Sequence, residues 1–543
     1  MKRKLHRAWL LVLLLAFVLS GCAPNVALVG EATKNQLDLT SYAATVSFAL
    51  DTDVPTDELD ATGRLVLQAL RDGVVVTVHQ KDPQHGHGVL SLKNPAPLLN
   101  SDLWPSQTPP SLEFYVEGPN VYLKSSLDRK FLQVPQPEAP LSPEMEKELN
   151  ELVKSAIRQY IDQFGYNFKN VTTTSNVAVT LPDGRTVTTT HVKIVLDLAE
   201  AHELAVYFLE NLSQFDGLDR FLTGIGQMTG EDMSQVAPEM KDALAQAASA
   251  LKLLNVKELA ARGVKADITA EYWIDANKRF VQDRLKVDLH VPGDVVPESG
   301  MPPLSLRLDM AGQYWNHNEP VQYPTLPDDR VVTVEQLAFN PDEFDSFGAG
   351  GPVRALAESA FVPFVDVPDS HWAYWPVTAL RTLGVVSGYE DNRFLPNRPI
   401  TRAEFAVMVV NALDLEPAKD ALAFKDAKQI PAWAREALQA AVHAGLIRGY
   451  HDGTLRPNQP ITRAELVTVL TRALKLPPAD NHPLPYADRD RIPRWALPAV
   501  KAATAHGLVN GRSDNRFAPN DKATRAEAVT ILYRILRTLH NGQ

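Results

Sequence analysis

A pattern of 61 or 62 residues recurs three times along the C-terminal third of the chain, and it limits the fold more than any other feature. The copies begin at Phe364, Phe424 and Tyr486 and stay in register. Trp372, Trp433 and Trp495 share one position, Gly384, Gly445 and Gly507 another, and Thr-Arg-Ala-Glu recurs at 401–404, 462–465 and 524–527. A period held at so many positions implies one supersecondary unit used three times, each copy burying its apolar face against the others.

Each copy reads as two helices joined by a tight turn. The first starts near Asp369-Ser370, or behind Pro431 and Pro493, where Pro fits because its missing N–H lies in the unpaired first turn. It stops at Gly384, Gly445 or Gly507, which supplies a left-handed residue. A Gly-Tyr turn follows at 388–389 and 449–450. The second helix opens on a capping box, with Thr401, Thr462 or Thr524 as cap and Glu404, Glu465 or Glu527 three residues on. Phe405, Ala406, Val409, Val410 and Leu413 then mark its buried face. The three tryptophans read as core anchors.

The phrases Phe-x-Asp-Val, His-Trp-Ala, Gly-Tyr-x-Asp, Pro-Asn and Ile-Thr-Arg-Ala-Glu resemble S-layer homology repeats. The resemblance implies a three-lobed, mostly α-helical module whose grooves hold cell-wall polysaccharide non-covalently, often a polymer ending in a pyruvylated amino sugar. It also implies that Arg402, Arg463 and Arg525 reach the acidic sugar. The chemistry suits them, since a planar guanidinium pairs with a carboxylate through two charge-assisted bonds and a helix N-terminus attracts anions. Tyr389 and Tyr450, beside Gly turns, are candidates to pack on a sugar face. Copy three departs from the pattern, with Asn510-Gly511-Arg512 for Gly-Tyr and Asp521-Lys522-Ala523 before its Thr, so its groove is expected to be weakened or altered in selectivity.

At the other end, Lys2, Arg3, Lys4 and Arg7 precede an apolar run from Ala8 to Leu19, too short for a comfortable membrane span. It reads as a secretory leader over residues 1–21. Leu19-Ser20-Gly21-Cys22 resembles a bacterial lipobox, which implies acylation of Cys22 and a membrane anchor. Cys22 is the chain's one cysteine, so an intrachain disulfide and thiol catalysis elsewhere are excluded. Residues 22–37 read as a lipidated polar tether.

Residues 38–320 read as an α+β domain, a curved antiparallel sheet with helices on one side. Alternation at Tyr42–Leu50 marks a strand. Asp72-Gly73 reads as a hairpin turn between Arg64–Leu70 and Val74–Gln80, Ser142-Pro143 as a helix start, and Ala199–Leu254 as helical. This order resembles the lipoprotein half-barrels of the LolA and LppX kind, with Glu271–Asp275 as the local likeness. Residues 321–360, rich in Pro, Asp and Gly, read as a linker with one short helix. The repeats then span 361–422, 423–484 and 485–543.

No nucleophile elbow, phosphate loop, zincin motif or dinucleotide fingerprint occurs. His85-Gly86-His87 reads as part of a solvated loop rather than a metal site, so no cofactor or metal is expected. The net charge of −11 argues against nucleic acid as a general partner. The expectation is therefore a non-enzymatic envelope lipoprotein bound to wall polysaccharide. The alternatives are a carrier or sensor of a hydrophobic ligand, and a wall-acting hydrolase using paired carboxylates.

Overall fold

The computed structural model describes residues 25–53, 59–101, 104–134, 142–229, 232–233, 235–293, 303–418, 422–512 and 514–541. The expected leader and Cys22 lie outside these residues. The chain forms two compact units, Met1–Val331 with Phe347–Val353, and Val332–Ser346 with Arg354–Gln543. Among the described residues no helix is long and apolar enough to cross a membrane.

The first unit is built on β1 (Tyr42–Thr52), β2 (Val74–Asp82), β3 (His85–Leu92), β4 (Ser111–Glu117), β5 (Asn120–Ser125), β6 (Phe131–Gln133), β7 (Val171–Thr180), β8 (Thr186–Leu196), β9 (Lys265–Ile274), β10 (Phe280–Val291), β11 (Leu304–Trp315) and β12 (Val331–Val332). They form one sheet in the order β12-β6-β5-β4-β3-β2-β1-β11-β10-β9-β8-β7, antiparallel in every pairing from β6 to β7. Register shifts near Gln80, Thr174 and Phe280 act as bulges that bend the strands. The period of two puts Ile194, Leu196, Ala270, Ile274 and Leu285 on one face, where Val26, Val29, Ala32 and Leu204 cover them.

That covering corrects the expected tether. Ala27–Gln36 is a helix whose Val29 and Ala32 are fully buried, because its apolar residues recur at helical spacing and match the open sheet face. Residues Ala61–Asp72 are also a helix, not the first arm of a hairpin. Asp60 accepts from the Gly63 amide at its start, and Gly73, at φ +101°, ends it. The Lys81–Gly88 segment is not a solvated loop either. His87 lies within β3, is buried, and stacks 6.2 Å from His79.

One carboxyl interrupts the apolar face. Asp283 of β10 stands opposite Gly312 of β11 and Tyr272 of β9. Burial pushes its carboxyl up to about 6. On the other face, an open depression of about 380 Å³ holds Asp51, Asp288 and Asp309. There Asp51 pairs with Arg71 at 2.6 Å, Asp309 with Arg284 at 2.6 Å, and Asp288 with Arg307 at 3.6 Å.

In the second unit, residues expected to be linker supply part of the core. Val334–Phe339 is a helix opened by a Thr333–Gln336 capping box, with Leu337, Ala338 and Phe339 buried. The Ala338 carbonyl accepts from the Trp375 indole and from the Tyr533 hydroxyl, each at 3.0 Å. Phe361 stacks on Trp375 at 5.1 Å. A Pro- and Asp-rich text concealed this packing, because only four or five apolar side chains carry it.

The repeats follow the expected plan of two helices and a turn, but the first helices start four or five residues beyond Asp369-Ser370, Pro431 and Pro493. Their first helices are Tyr374–Thr382, Arg435–His443 and Leu497–Ala505, and their second helices are Arg402–Ala412, Arg463–Ala473 and Arg525–Asn541. Gly384, Gly445 and Gly507 follow the first helices at φ +71°, +69° and +66°, as the left-handed stop requires.

Candidate functional site: interlocked grooves

The capping boxes set the site's frame. Glu404 Oε2 accepts from the Thr401 amide at 2.8 Å, Glu465 from Thr462 at 2.8 Å, and Glu527 from Thr524 at 3.0 Å. The same glutamates hold the turns of their own repeats. Tyr389 donates to Glu404 Oε1 at 2.9 Å, the Tyr450 hydroxyl donates to Glu465, and Arg512 Nε donates to Glu527 at 3.0 Å. Burial alone would raise the Glu404 and Glu465 carboxyls. The threonine amides, tyrosine hydroxyls and nearby guanidinium groups outweigh it, so both lie below the usual range. Burial, followed by the bond to Glu465, pushes the Tyr450 hydroxyl up to about 12.

Each Thr-Arg-Ala-Glu arginine reaches into the next repeat. Arg402 Nε donates to the Leu455 carbonyl at 2.9 Å, Arg463 to Phe517 at 2.8 Å, and Arg525 to Phe394 at 2.8 Å. A second nitrogen of each fork donates to Arg448, Asn510 or Ser387. The remaining arm of each faces a glutamate: Arg402 lies 3.9 Å from Glu465, Arg463 3.0 Å from Glu527, and Arg525 3.7 Å from Glu404. The sequence of contacts is one to two, two to three, and three back to one. The backbone repeats it, since the amides of Ile461, Ala523 and Ile400 donate in turn to the carbonyls of Ile400, Ile461 and Ala523. The three copies thus form a closed ring rather than an open stack.

This arrangement gives the arginines a structural task beside the expected one, since Arg463 and Arg525 also line grooves. All three arginines are 4–5% exposed, and burial lowers the pKa of Arg463 and Arg525. Their forks are engaged on carbonyls, so they act first as struts beneath the neighbouring turn. The structure brings Arg525 together with Tyr389 and Glu404, and Arg402 with Tyr450 and Glu465. The Arg402 guanidinium sits 4.8 Å from the Tyr450 ring centre, and that of Arg525 sits 5.0 Å from Tyr389.

The tryptophans are not core anchors. Trp372, Trp433 and Trp495 are 61%, 61% and 57% exposed. The alanine that follows each of the first two, Ala373 and Ala434, and Ala496 after Trp495, is fully buried, which turns the indole outward. Two grooves open beneath these rings. The larger, about 530 Å³, is lined by Trp372, Arg463, Arg512, Glu527, Thr530 and Arg534. The other, about 300 Å³, is lined by Tyr389, Glu404, Val407, Met408, Trp433 and Arg525. Each takes its turn and second helix from one repeat, its tryptophan from the next and its arginine from the one before. The Trp372 groove is built on copy three, whose departures were expected to weaken it or alter its selectivity. There Arg512 takes over the tyrosine's bond to the capping glutamate and adds a positive charge.

Sequence reasoning missed Thr530 and Arg534. Their signal was available, because they lie three and seven residues beyond Glu527, on the same helical face. Among the described residues no group of three His, Cys, Asp or Glu side chains could hold a metal.

The model of the S-layer homology domain matches residues 363–406, 423–467 and 485–529. The chain is similar to an amylopullulanase of Thermoanaerobacterium thermosulfurigenes, 35% identical over 33% of this chain and 10% of that protein. It is 33% identical to a cellulosome-anchoring protein of Acetivibrio thermocellus over 26% of this chain and 32% of that one. It is 30% identical to S-layer protein EA1 of Bacillus anthracis over 34% of this chain and 21% of that one. The chain spans 10–19% of the lengths of three such relatives, the amylopullulanase, an exoglucanase and an endoglucanase. The solved lipoprotein LppX of Mycobacterium tuberculosis shares 14% identity over 55% of this chain and 98% of its own, with a TM-score of 0.21, an overlap too low to define a fold. Residues 363–406, 423–467 and 485–529 are three S-layer homology domains arranged as a closed ring.

Proposed function

We propose that this chain is a cell-envelope protein that binds cell-wall polysaccharide non-covalently through its ring of S-layer homology domains, outside the cytoplasm. The observation that carries this reading is the exposed indole set over a groove with a guanidinium floor at Trp372 and again at Trp433. An aromatic plate suits the apolar face of a sugar, and the guanidinium suits its oxygens. A pyruvyl ketal on the terminal sugar would place a carboxylate where such a groove is positive. Acylation of Cys22 would add a second anchor, in the membrane. The module acts by binding, with no catalytic step assigned to it.

The test is co-sedimentation of the full chain with purified wall sacculi. Retention that falls when Trp372 and Trp433 are both changed to Ala supports the reading, and no retention of the unsubstituted chain overturns it. Detergent partitioning of the unsubstituted chain and Cys22→Ala, after wall digestion, tests the acyl anchor separately. Partitioning of the unsubstituted protein into the aqueous phase would remove that anchor from the account.

One observation favours a second role for the first unit, as carrier of an apolar ligand. Val46, Val76, Leu90 and Leu112 stand side by side across β1 to β4, and all four are only half-buried. Binding of a fluorescent fatty acid that is lost in Val76→Asp would support it.

A further inference from the structure

The start of the described chain fixes which end of the first unit lies nearest Cys22. The Asn25 side-chain amide donates to the Phe168 carbonyl at 2.6 Å, just before β7. From there the helix Ala27–Gln36 runs to the β9–β10 turn, where Asn35 donates to the Lys278 carbonyl at 2.9 Å. Cys22 precedes Asn25 by three residues, a reach of at most about 10 Å. Acyl chains on Cys22 would therefore bring a bilayer to the end of the sheet where β8 stops and β9 starts. Pairing of Lys265 with His290, and of Val291 with Leu304, puts the end of β10 and the start of β11 there too.

That end carries an apolar and basic tip. The helix Val236–Lys252 stops where His202 Nε2 donates to the Leu251 carbonyl at 2.8 Å. On the same helix, Leu198–Ser213, Glu200 accepts from the Lys169 amide at 2.6 Å, next to Phe168. The contacts of Asn25 and of Leu251 thus both lead to the first two turns of one helix. Beyond Leu251, Leu253 is 86% exposed and Leu254 45%, and Leu304 on the sheet is 44% exposed. Among the described residues these are the exposed leucines of the first unit. One exposed leucine is ordinary, but an adjacent pair at a turn leaves an apolar patch that the fold does not use. Over residues 251–265 the cations Lys252, Lys257, Arg262 and Lys265 stand against one carboxylate, Glu258. Lys252 pairs with Glu210 and Arg262 with Glu258. Lys257 and Lys265 are exposed and make no ion pair among the described residues.

We infer that this tip is a second contact with the membrane. Leu253 and Leu254 enter the headgroup region of an anionic bilayer, and Lys257 and Lys265 meet lipid phosphates around them. The inference rests on the acylation of Cys22 proposed above. Two leucines and two lysines are too few to hold a protein on a bilayer unaided, but a short tether gives them a high effective concentration of lipid. The effect is orientation. Acyl chains alone leave the unit free to rotate on its three-residue lead, whereas a second contact stands the sheet on this end and points the β9–β10 turn away from the lipid.

An acylated Cys22 has no free thiol, so Ala260→Cys, exposed between Lys257 and Lys265, gives the full chain a single labelling site beside an intact tip. The acylated full chain, labelled there with a nitrobenzoxadiazole dye, is reconstituted on vesicles of phosphatidylcholine and phosphatidylglycerol that contain a nitroxide-bearing lipid. Quenching is expected to be several-fold stronger than for the same dye at Ala276→Cys, in the exposed β9–β10 turn. Leu253→Asp with Leu254→Asp should bring it down to the Ala276→Cys level. Lys257→Gln with Lys265→Gln should weaken it, as should high salt or vesicles of phosphatidylcholine alone. Equal quenching at the two label sites, or quenching that survives both aspartates, overturns the inference. A blue shift that grows with protein concentration without vesicles assigns the tip to a second copy and also overturns it. Absence of acyl chains on the unsubstituted protein removes the Cys22 anchor by itself. The comparison is then made with Cys22→Ala held on the same vesicles by an N-terminal histidine tag and a nickel-chelating lipid, where equal quenching at the two sites again refutes the tip.

Discussion

Arg525→Ala should open the ring where its last repeat meets its first. The side chain is 4% exposed, donates to the carbonyls of Phe394 and Ser387 at 2.8 and 3.1 Å, and faces Glu404 at 3.7 Å. Hydrogen bonds from a charged donor are worth about 1.5–3 kcal/mol each, and removing one member of a buried charge pair costs about 3–5 kcal/mol. These overlap, so about 4 kcal/mol is the expected loss. For a unit of this size each kcal/mol moves the melting temperature by about 2–4 °C, which gives a fall of about 8–16 °C. Differential scanning calorimetry of the full chain should show it in one transition only, since Arg525 belongs to the second unit. Arg525→Lys keeps the charge but cannot fork to two carbonyls, and should recover less than half of the loss. A fall of under about 2 °C for Arg525→Ala, the size expected of an exposed ion pair, would refute the strut assignment.

Three further substitutions probe other parts of the argument. Gly388→Ala would set a Cβ 2.3 Å from the buried Phe364 ring and 2.9 Å from the Arg393 carbonyl, so a loss of about 1–3 kcal/mol in chemical denaturation is expected. Asp283, pushed up to about 6 from 3.8, stabilises the first unit most below the lower value and loses that contribution as pH rises through the higher one. Asp283→Asn should therefore raise the melting temperature at pH about 8, by the equivalent of up to about 3 kcal/mol, and change it little near pH about 4. Phe339→Ala, outside the repeats, should cost the second unit about 3 kcal/mol in urea denaturation, because its ring lies buried 5.9 Å from Tyr533 and 5.1 Å from His540.

The features read correctly from sequence are those enforced locally. Thr401 and Glu404 satisfy each other's orphan backbone groups within one turn, so their tetrapeptide declares its own geometry. Gly384 stops a helix for a reason confined to its own φ. Ser142 and Pro143 likewise opened a helix as expected, with the Ser142 hydroxyl accepting from the Met145 amide at 3.2 Å. What escaped depends on partners distant in the chain. Whether Trp372 points in or out is decided by the fit of Ala373 beneath it. Whether Arg525 is ligand or strut depends on carbonyls more than a hundred residues earlier. The Ala61–Asp72 segment reads as one arm of a hairpin, and its packing against β1 as a helix cannot be seen from its own residues. The Ala27–Gln36 helix was hidden because its apolar face is three residues wide and has no meaning without the sheet it covers.

Closure of the ring sets terms for how such a chain can change. An open solenoid can gain or lose a copy and still present a usable surface. Here each groove borrows its parts from three different copies, so deleting one copy leaves no groove complete, and a fourth copy would find both of its docking edges already occupied. Growth by single duplication is closed off; only a second full set of three would give new grooves. Variation must instead enter residue by residue, at places where the neighbour's requirement can be met in more than one way. The exchange of tyrosine for Arg512 is such a place, because Glu527 is satisfied by a guanidinium as readily as Glu404 is by a phenol. An exchange there alters the lining of one groove and leaves the joints made by the other two copies untouched.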